Sequence, residues 1–204
     1  MIQILCVDLS DANEDIYRRL YHRASPERRA RANRFRCRED ALRCVAAGAL
    51  LRHVLSEDFR IETGPGGKPF LPDQPDMHFN LSHSGNWVVI AWGSSEVGVD
   101  VESLRRSPRI DALIRRYCSK EEMAYILEDS NHREQRFFEV WTGKESILKY
   151  LGTGIQTDLR AFSVLAPAEG LHLHRRTLPD GSLLCLCTTD NNYELKFLNV
   201  HQLA

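Results

Sequence analysis

Three short apolar-rich stretches, at residues 77–82, 87–92 and 96–102, follow one another with very little chain between them. Their content of β-branched and aromatic residues predicts three short strands. The breaks at residues 84–86 and 93–95 hold Ser-Gly-Asn and Gly-Ser-Ser, which are typical of tight hairpin turns. A parallel pair needs a crossover of about a dozen residues or more, so these strands are predicted to be antiparallel.

Helix signals flank this strand region on both sides. Ser25, which is followed by a proline, is typical of an N-cap, and Ser119 with Glu122 forms a capping-box pattern. Apolar residues recur at helical spacing over residues 38–55 and 133–151, which predicts the two longest helices. The chain therefore mixes helices with short strands.

The rest of the chain completes this pattern. The Gly- and Pro-rich residues 63–69 predict a loop, the polar residues 103–109 predict a hinge, and residues 159–200 contain several short alternating runs. We therefore predict an α+β fold, built as two similar α+β subdomains at residues 1–104 and 105–204. A single parallel sheet is less compatible with such short connections.

The composition excludes several classes of protein. Lys+Arg (27) and Asp+Glu (28) nearly balance over 204 residues, which argues against a surface that binds nucleic acid throughout. No apolar run approaches the roughly 20 residues that span a bilayer, and the N-terminus lacks the basic region of a signal peptide. We therefore expect a cytoplasmic protein whose six cysteines are reduced and mostly buried.

Positive charge is concentrated in one region. Eleven arginines and only three acidic residues lie within residues 17–52. Because the guanidinium fork suits phosphate oxygens, this cluster indicates an anionic ligand. An ordinary arginine-rich helix surface explains any single member equally well, so both interpretations stay open.

Two acidic residues lie two positions apart in the third predicted strand. Asp100 and Glu102 should project from one face, about 6–7 Å apart, while the intervening valine points the other way. Paired carboxylates of this kind are hard oxygen ligands that suit Mg²⁺. A half-buried edge strand with a polar outer face is the alternative.

The longest predicted helix carries a second charged pair. Glu145 and Lys149 are at i and i+4 and therefore neighbours on one helix face. Gly143 is unfavourable inside a helix by about 1 kcal/mol relative to alanine, which indicates the close approach of another group. An exposed surface ion pair is the alternative interpretation of Glu145 and Lys149.

Two further positions suggest anion binding. Ser82 and His83 are adjacent in a strand and point to opposite faces, so they cannot act together as nucleophile and base. Phosphate or hydroxyl binding by His83 is the better interpretation. Lys68 follows two glycines whose backbone N–H groups could approach an anion.

In this order the motifs strongly resemble those of the surfactin-synthetase type of 4′-phosphopantetheinyl transferases. The matching segments are SPERRAR at 25–31, RF at 34–35, EDA at 39–41 with Arg43, GKP at 67–69, NLSHS at 80–84, VGVDVE at 97–102 and WTGKESILK at 141–149. The resemblance covers about residues 25–155 and implies two α+β subdomains related by a pseudo-twofold axis, with coenzyme A in the cleft between them. It also implies transfer of phosphopantetheine to a serine of an apo acyl or peptidyl carrier protein, with release of 3′,5′-ADP.

The resemblance further implies roles for individual residues. Asp100, Glu102 and Glu145 would hold Mg²⁺ on the coenzyme A pyrophosphate, and Glu145 would also be the base toward the incoming serine. Lys149, and with it Lys144, would stabilise charge on the transferring phosphate. The residues implied in binding coenzyme A phosphates are Arg28 and Arg31, near the 3′-phosphate, together with Lys68, Ser82 and His83. Residues after Gly170 match no motif and receive no function.

Two other functions stay open. The arginines of residues 17–52 would suit an RNA-binding module, although the aromatic stacking pattern of common RNA readers is missing. A noncatalytic relative that only binds carrier proteins is the other alternative, but the acidic and lysine positions of the helix motif are intact. We therefore expect a monomeric Mg²⁺-dependent transferase with coenzyme A and a carrier protein as partners, and with no nucleic-acid or membrane partner.

Overall fold

The computed structural model describes residues 1–55, 59–104, 109–154 and 158–204. Helices in these ranges are α1 (Glu14–Arg23), α2 (Pro26–Ala32), α3 (Arg38–Leu55), α4 (Ile110–Tyr117), α5 (Lys120–Leu127) and α6 (Arg133–Leu151). Strands are β1 (Ile2–Asp8), β2 (Glu62–Thr63), β3 (Pro69–Phe70), β4 (His78–Ser84), β5 (Trp87–Gly93), β6 (Val97–Glu102), β7 (His172–Thr177), β8 (Leu183–Thr188) and β9 (Tyr193–Asn199). Short 3₁₀ turns lie at Leu159–Ala161 and Val200–Gln202. The predicted α+β class is confirmed.

The strands form two main sheets. One has four strands in the order β4-β5-β1-β9, and the other has three in the order β6-β8-β7. All pairings in them are antiparallel except β1 with β9, which run parallel. The expectation of antiparallel strands alone therefore misses one pair. Nearly the whole chain separates β1 from β9, so the crossover that a parallel pair needs is available.

Strand pairing crosses the boundary predicted near residue 105. β6 precedes that boundary but pairs with β8, and β9 follows it but pairs with β1. Residues 105–108 of the predicted hinge lie outside the described residues. The division into 1–104 and 105–204 stays a prediction.

The helix limits follow the capping signals. α3 and α6 span residues 38–55 and 133–151 as predicted. The Ser25 hydroxyl accepts a hydrogen bond from the Arg28 N–H, and Ser119 forms its capping box with Glu122. Gly152 ends α6 with φ of +65°, a left-handed conformation that glycine adopts without steric cost.

α6 packs closely against β6 because β6 carries a glycine at the crossing. A Cβ at Gly98 would lie 2.0 Å from the Ser146 carbonyl oxygen and 2.3 Å from the Tyr150 nitrogen, so only glycine allows this separation of the two backbones. The contact places the Glu145–Lys149 turn of α6 beside Asp100 of β6.

Side chains of β4 join the two sheets. Alternate β4 residues accept hydrogen bonds from alternate backbone N–H groups at β6, in place of a backbone ladder. The pairs are Asn80 Oδ1 with Val99 N (2.9 Å), Ser82 Oγ with Val101 N (3.3 Å) and Ser84 Oγ with Ser103 N (3.2 Å). This β4–β6 seam brings the NLSHS and VGVDVE segments together.

The structure also bears on the predicted loop at residues 63–69, on the cysteines and on the expected absence of a membrane-spanning helix. Residues 63–69 are not entirely loop, because Thr63 and Pro69 pair at the ends of the β2–β3 hairpin around a turn at 64–68. All six cysteines are free and only Cys37 is exposed, as predicted. In the described ranges, no helix combines the length and apolar character needed to cross a membrane.

Candidate active site

Lys149 extends from α6 to the seam between the two sheets. Its Nζ donates hydrogen bonds to Asp100 Oδ1 at 2.6 Å and to Ser82 Oγ at 2.9 Å. The Ser82 hydroxyl in turn donates to Asp100 Oδ1 at 2.8 Å. Lys149 therefore contacts both β4 and β6 and does not form an isolated ion pair on the helix surface.

Asp100 and Glu102 lie on the same face of β6, as their spacing predicts. Each meets a serine of β4, because Ser82 donates to Asp100 and Ser84 donates to Glu102 Oε2 at 2.7 Å. Asp100 is only 4% exposed. Its Oδ2 is buried without a hydrogen-bond partner among the described residues.

Glu145 is the third carboxylate at this place. Burial raises the pKa of Glu145, and the negative charges of Asp100 and Glu102 raise it further, while the Lys149 ammonium partly offsets them. A carboxyl group with a raised pKa accepts a proton more readily near neutral pH than an exposed one does. The structure thus brings together the three acidic residues that the sequence singled out.

The donor chemistry at this place fits Mg²⁺, although the carboxylates do not form a ready cage. In the part of the chain that the structure describes, no three His, Cys, Asp or Glu side chains are gathered tightly enough to hold a metal ion. The Lys149 ammonium neutralises Asp100 Oδ1 instead. Asp100 Oδ2 remains a buried carboxylate oxygen without a donor, and such hard oxygens are the ligands that Mg²⁺ prefers.

Cations surround His83, an exposed residue of β4. Desolvation lowers the pKa of His83, and the positive charges of Arg43, Lys149 and Arg31 lower it further. A neutral imidazole among three cations is a favourable place for an anion. Arg43 is a residue of the family resemblance to which the sequence assigned no separate role. Its side chain donates a hydrogen bond to the Gly85 carbonyl at 2.7 Å and forms an ion pair with Asp40.

Arg28 and Arg31 line a shallow cavity of about 550 Å³ between α2 and α3. Arg28 Nη1 donates to the Cys44 carbonyl at 3.3 Å, and the Arg28 side chain packs on Gly48. Arg31 is exposed and near enough to His83 to lower its pKa. Arg31 therefore belongs to the cationic group around His83, whereas Arg28 lies on the wall of the neighbouring cavity.

Lys144 does not reach this site. It is 1% exposed, and its Nζ contacts Glu122 Oε2 at 2.8 Å and the carbonyls of Leu159 and Phe162 at 2.6 and 2.8 Å. Consecutive helix residues point in different directions, so Lys144 faces the core where Glu145 faces the seam. In this structure Lys144 contacts protein groups of the core, and its expected role at the transferring phosphate stays a prediction.

Lys68 also differs from expectation. Its Nζ donates to the Glu96 carboxylate, to the Val97 carbonyl at 2.7 Å and to the Tyr150 carbonyl at 3.0 Å. An ammonium has three N–H donors, and all three have protein acceptors. Lys68 would have to give up one of these acceptors to contact a phosphate, and the implied contact stays a prediction.

Gly143 marks a close approach, as predicted, but not to a ligand. A Cβ at this position would lie 3.1 Å from Cγ1 of Val164. The group that approaches α6 here is thus the side chain of a neighbouring core residue.

A cavity of about 240 Å³ opens beside the carboxylates. One wall is the turn at 66–69, and the opposite wall includes Glu145 and Lys149. Asn80 of the seam and Gly152 at the end of α6 also contribute. The cavity thus adjoins one of the three carboxylates, Glu145, and the Lys149 ammonium.

Two family models match consecutive parts of the chain. Residues 12–95 match the model described as 4′-phosphopantetheinyl transferase, N-terminal. Residues 96–197 match the model described as the 4′-phosphopantetheinyl transferase superfamily. The second match contains Asp100, Glu102, Glu145 and Lys149.

Individual proteins are similar over most of the chain. The 4′-phosphopantetheinyl transferase Sfp of Bacillus subtilis strain 168 is 35% identical over 188 residues, which are 87% of this chain and 82% of the relative. The 4′-phosphopantetheinyl transferase psf-1 of Bacillus pumilus is 35% identical over 92% of this chain and 82% of its own length. HetI of Nostoc sp. strain PCC 7120 is 34% identical over 82% of this chain and 75% of its own length. The chain therefore belongs to the 4′-phosphopantetheinyl transferase superfamily and is a transferase of that family.

Proposed function

We propose that this enzyme transfers the phosphopantetheine arm of coenzyme A to a serine hydroxyl of an apo acyl or peptidyl carrier protein, with Mg²⁺ and with release of 3′,5′-ADP. The observation that carries the proposal is the meeting of Glu145 and Lys149 with Asp100 and Glu102 at the seam. Phosphoryl transfer depends on positioning and charge neutralisation more than on covalent chemistry by the protein. The seam offers acids and a cation in one place.

Cations for the phosphate groups come from separate elements. Lys149 comes from α6, Arg31 from α2 and Arg43 from α3, and all three influence His83 electrostatically. Their charges would bind the pyrophosphate and the 3′-phosphate, and a bound phosphate would favour the protonated imidazole of His83.

Asp100, Glu102 and Glu145 would hold the Mg²⁺. When bound, the ion would neutralise charge on the pyrophosphate and make 3′,5′-ADP a better leaving group. The buried, unpartnered Oδ2 of Asp100 supports a ligand role for this residue. Lys149 would then exchange its contact with Asp100 for a phosphate oxygen.

Glu145 would receive the proton of the incoming serine. The serine oxygen attacks the phosphorus that carries the pantetheine arm, and the bond from that phosphorus to the oxygen of 3′,5′-ADP breaks. The raised pKa of Glu145 supports this role, because a base works best when its pKa lies near the operating pH.

The deciding experiment incubates purified apo carrier proteins with coenzyme A, Mg²⁺ and the enzyme. We expect mass spectrometry to show the carrier gaining one phosphopantetheine, and chromatography to show an equal amount of 3′,5′-ADP. Both products should be lost with Asp100→Ala and when Mg²⁺ is chelated. Coenzyme A binding without any transfer would instead indicate the noncatalytic carrier-binding alternative.

We also propose that the enzyme works as a monomer in the cytoplasm. Free thiols, five of them buried, fit a reducing compartment. The acids and cations described above all come from one chain. Size-exclusion chromatography with light scattering would test the monomer, and localisation of a fluorescent fusion would test the compartment.

A further inference from the structure

The turn at 64–68, between β2 and β3, packs against the end of α6. A Cβ at Gly66 would lie 1.6 Å from the Gly152 carbonyl oxygen, so the two backbones are in direct contact. Two hydrogen bonds close the turn, from Gly64 N to the Lys68 carbonyl and from Gly67 N to the Gly64 carbonyl, each 2.9 Å. This turn is one wall of the cavity that adjoins Glu145 and Lys149.

The Lys68 side chain connects the turn to β6 and to α6. Its three acceptors belong to three different parts of the fold: Glu96 ahead of β6, Val97 at the start of β6 and Tyr150 in the last turn of α6. The side chain is only 15% exposed. A lysine in this arrangement ties the turn to both elements that carry the acidic residues.

One contact of Lys68 satisfies a carbonyl at the end of α6. The Tyr150 carbonyl is among the last four of α6, which have no acceptor role within the helix, and a cation there also favours the helix dipole. The second Glu96 oxygen lies 3.2 Å from His78 Nδ1 of β4. Burial lowers the pKa of Lys68, and Glu96 counteracts that shift. Glu96 therefore favours the charged form of Lys68.

We propose that Lys68 is a positioning residue which, together with Glu96, holds the 64–68 turn against the end of α6 and so presets one wall of the cavity beside Glu145 and Lys149, where part of coenzyme A would bind. This inference rests on the proposed function. It differs from the phosphate contact that the resemblance implies, because here the ammonium contacts only protein. Glu96 becomes part of the binding machinery without touching the substrate.

The two roles of Lys68 predict opposite effects at Glu96. If Lys68 holds the turn, Glu96→Gln and Lys68→Met should each weaken coenzyme A binding by about tenfold, and the double variant should be no weaker than either single one. If Lys68 contacts phosphate, Glu96→Gln should leave binding unchanged or tighten it, because the ammonium would be released. Calorimetric titration of coenzyme A into the four proteins separates these outcomes. Unchanged or tighter binding by Glu96→Gln would overturn the proposal.

Conservative and distant variants serve as controls. Lys68→Arg keeps the charge, but a planar guanidinium does not fit three acceptors arranged around one ammonium, so we expect it to bind coenzyme A as weakly as Lys68→Met. Lys196→Met removes an exposed lysine paired with Glu194 on β9 and should bind like the parent. In steady-state transfer, Glu96→Gln should raise the KM for coenzyme A by a larger factor than it lowers the turnover number, because the acids of the seam are untouched.

Amide hydrogen exchange tests the anchoring without any ligand. The Gly64 and Gly67 amides should exchange at least about tenfold faster in Lys68→Met and in Glu96→Gln than in the parent, because the turn would open locally. Unchanged exchange would overturn the proposal even if transfer activity fell. Conversely, a parent protein that neither binds coenzyme A nor modifies a carrier would refute the proposed function and leave the exchange result intact. If Lys68→Met failed to fold, Glu96→Gln alone would decide.

Discussion

The two carboxylate oxygens of Asp100 differ in their hydrogen-bond partners. Oδ1 receives hydrogen bonds from Lys149 and Ser82, while Oδ2 is buried without a partner among the described residues. A buried carboxylate oxygen without a donor costs free energy that a folded protein normally avoids. The Mg²⁺ of the proposed function would pair with this oxygen and remove that cost.

Glu145→Gln separates chemistry from binding at this residue. The amide keeps the size of the side chain but loses its charge and its ability to take a proton, so we expect coenzyme A affinity to stay within a fewfold of the parent while the transfer rate falls by about 10²–10⁴-fold. Single-turnover transfer to an apo carrier protein measures the rate, and calorimetry measures the affinity. A Glu145→Gln enzyme with the parental rate would mean that Glu145 is not the base.

At the scale of the elements, α6 has two charged faces with different tasks. Glu145 and Lys149 face the seam, whereas Lys144 is buried against Glu122, which is itself 0% exposed and caps α5. Glu122 also accepts a hydrogen bond from the Val164 N–H at 2.8 Å. The buried pair therefore fixes α5 and the segment around Val164 to α6.

Lys144→Met should destabilise the fold without removing a group from the site. Breaking a buried ion pair by removing one partner leaves the other charge without compensation, and the typical cost is about 3–5 kcal/mol. Urea unfolding followed by circular dichroism measures this loss. Lys120→Met, at an exposed position of α5, is the matched control and should change the free energy of unfolding by less than about 0.5 kcal/mol. A stable Lys144→Met protein with impaired transfer would restore the role that the resemblance implies.

The limits of the helices could be predicted from the sequence, whereas the long-range contacts of the lysine side chains could not. Capping residues and apolar spacing are local, which explains why the limits of α3 and α6 were predicted correctly. The partners of Lys144 and Lys68 lie far away along the chain, so spacing alone could not show that both ammonium groups are used by the protein itself. Asp100 and Glu102 were recognised as sharing a face because strand alternation is also local.

At the scale of the whole molecule, each of the two main sheets contains one strand from the other side of the boundary predicted near residue 105. β9 pairs with β1, and β6 pairs with β8, while side chains of β4 supply hydrogen bonds between the sheets and apolar residues of β1 and β5 pack against β6 and β8. The parallel β1–β9 pair could not be predicted, because no local pattern links strands so distant in sequence. The site lies on the β4–β6 seam between the two sheets, so the arrangement of both sheets determines the positions of its acidic residues.

Buried thiols make the stability of the whole fold sensitive to alkaline pH. Desolvation raises the pKa of Cys6 to about 12 and that of Cys185 to about 11, and it also raises the pKa of Cys187. Above about pH 9 an unfolded chain releases these protons while the folded chain keeps them, so the unfolded state binds fewer protons and stability falls as pH rises. Below about pH 8 both states hold the protons, and these groups give no slope.

We therefore expect the free energy of unfolding to decrease between pH 8 and pH 10 under reducing conditions, by about 1 kcal/mol for each buried thiol per pH unit once the unfolded thiols ionise. Urea titrations at several pH values measure this slope. Cys185→Ala should make the slope shallower, because one buried thiol is removed. Cys37→Ser should change the slope less, because Cys37 is exposed and Glu39, which raises the Cys37 pKa, acts there through solvent-screened contacts. Equal slopes in the parent and in Cys185→Ala would mean that other groups, such as buried tyrosines, dominate the alkaline loss of stability.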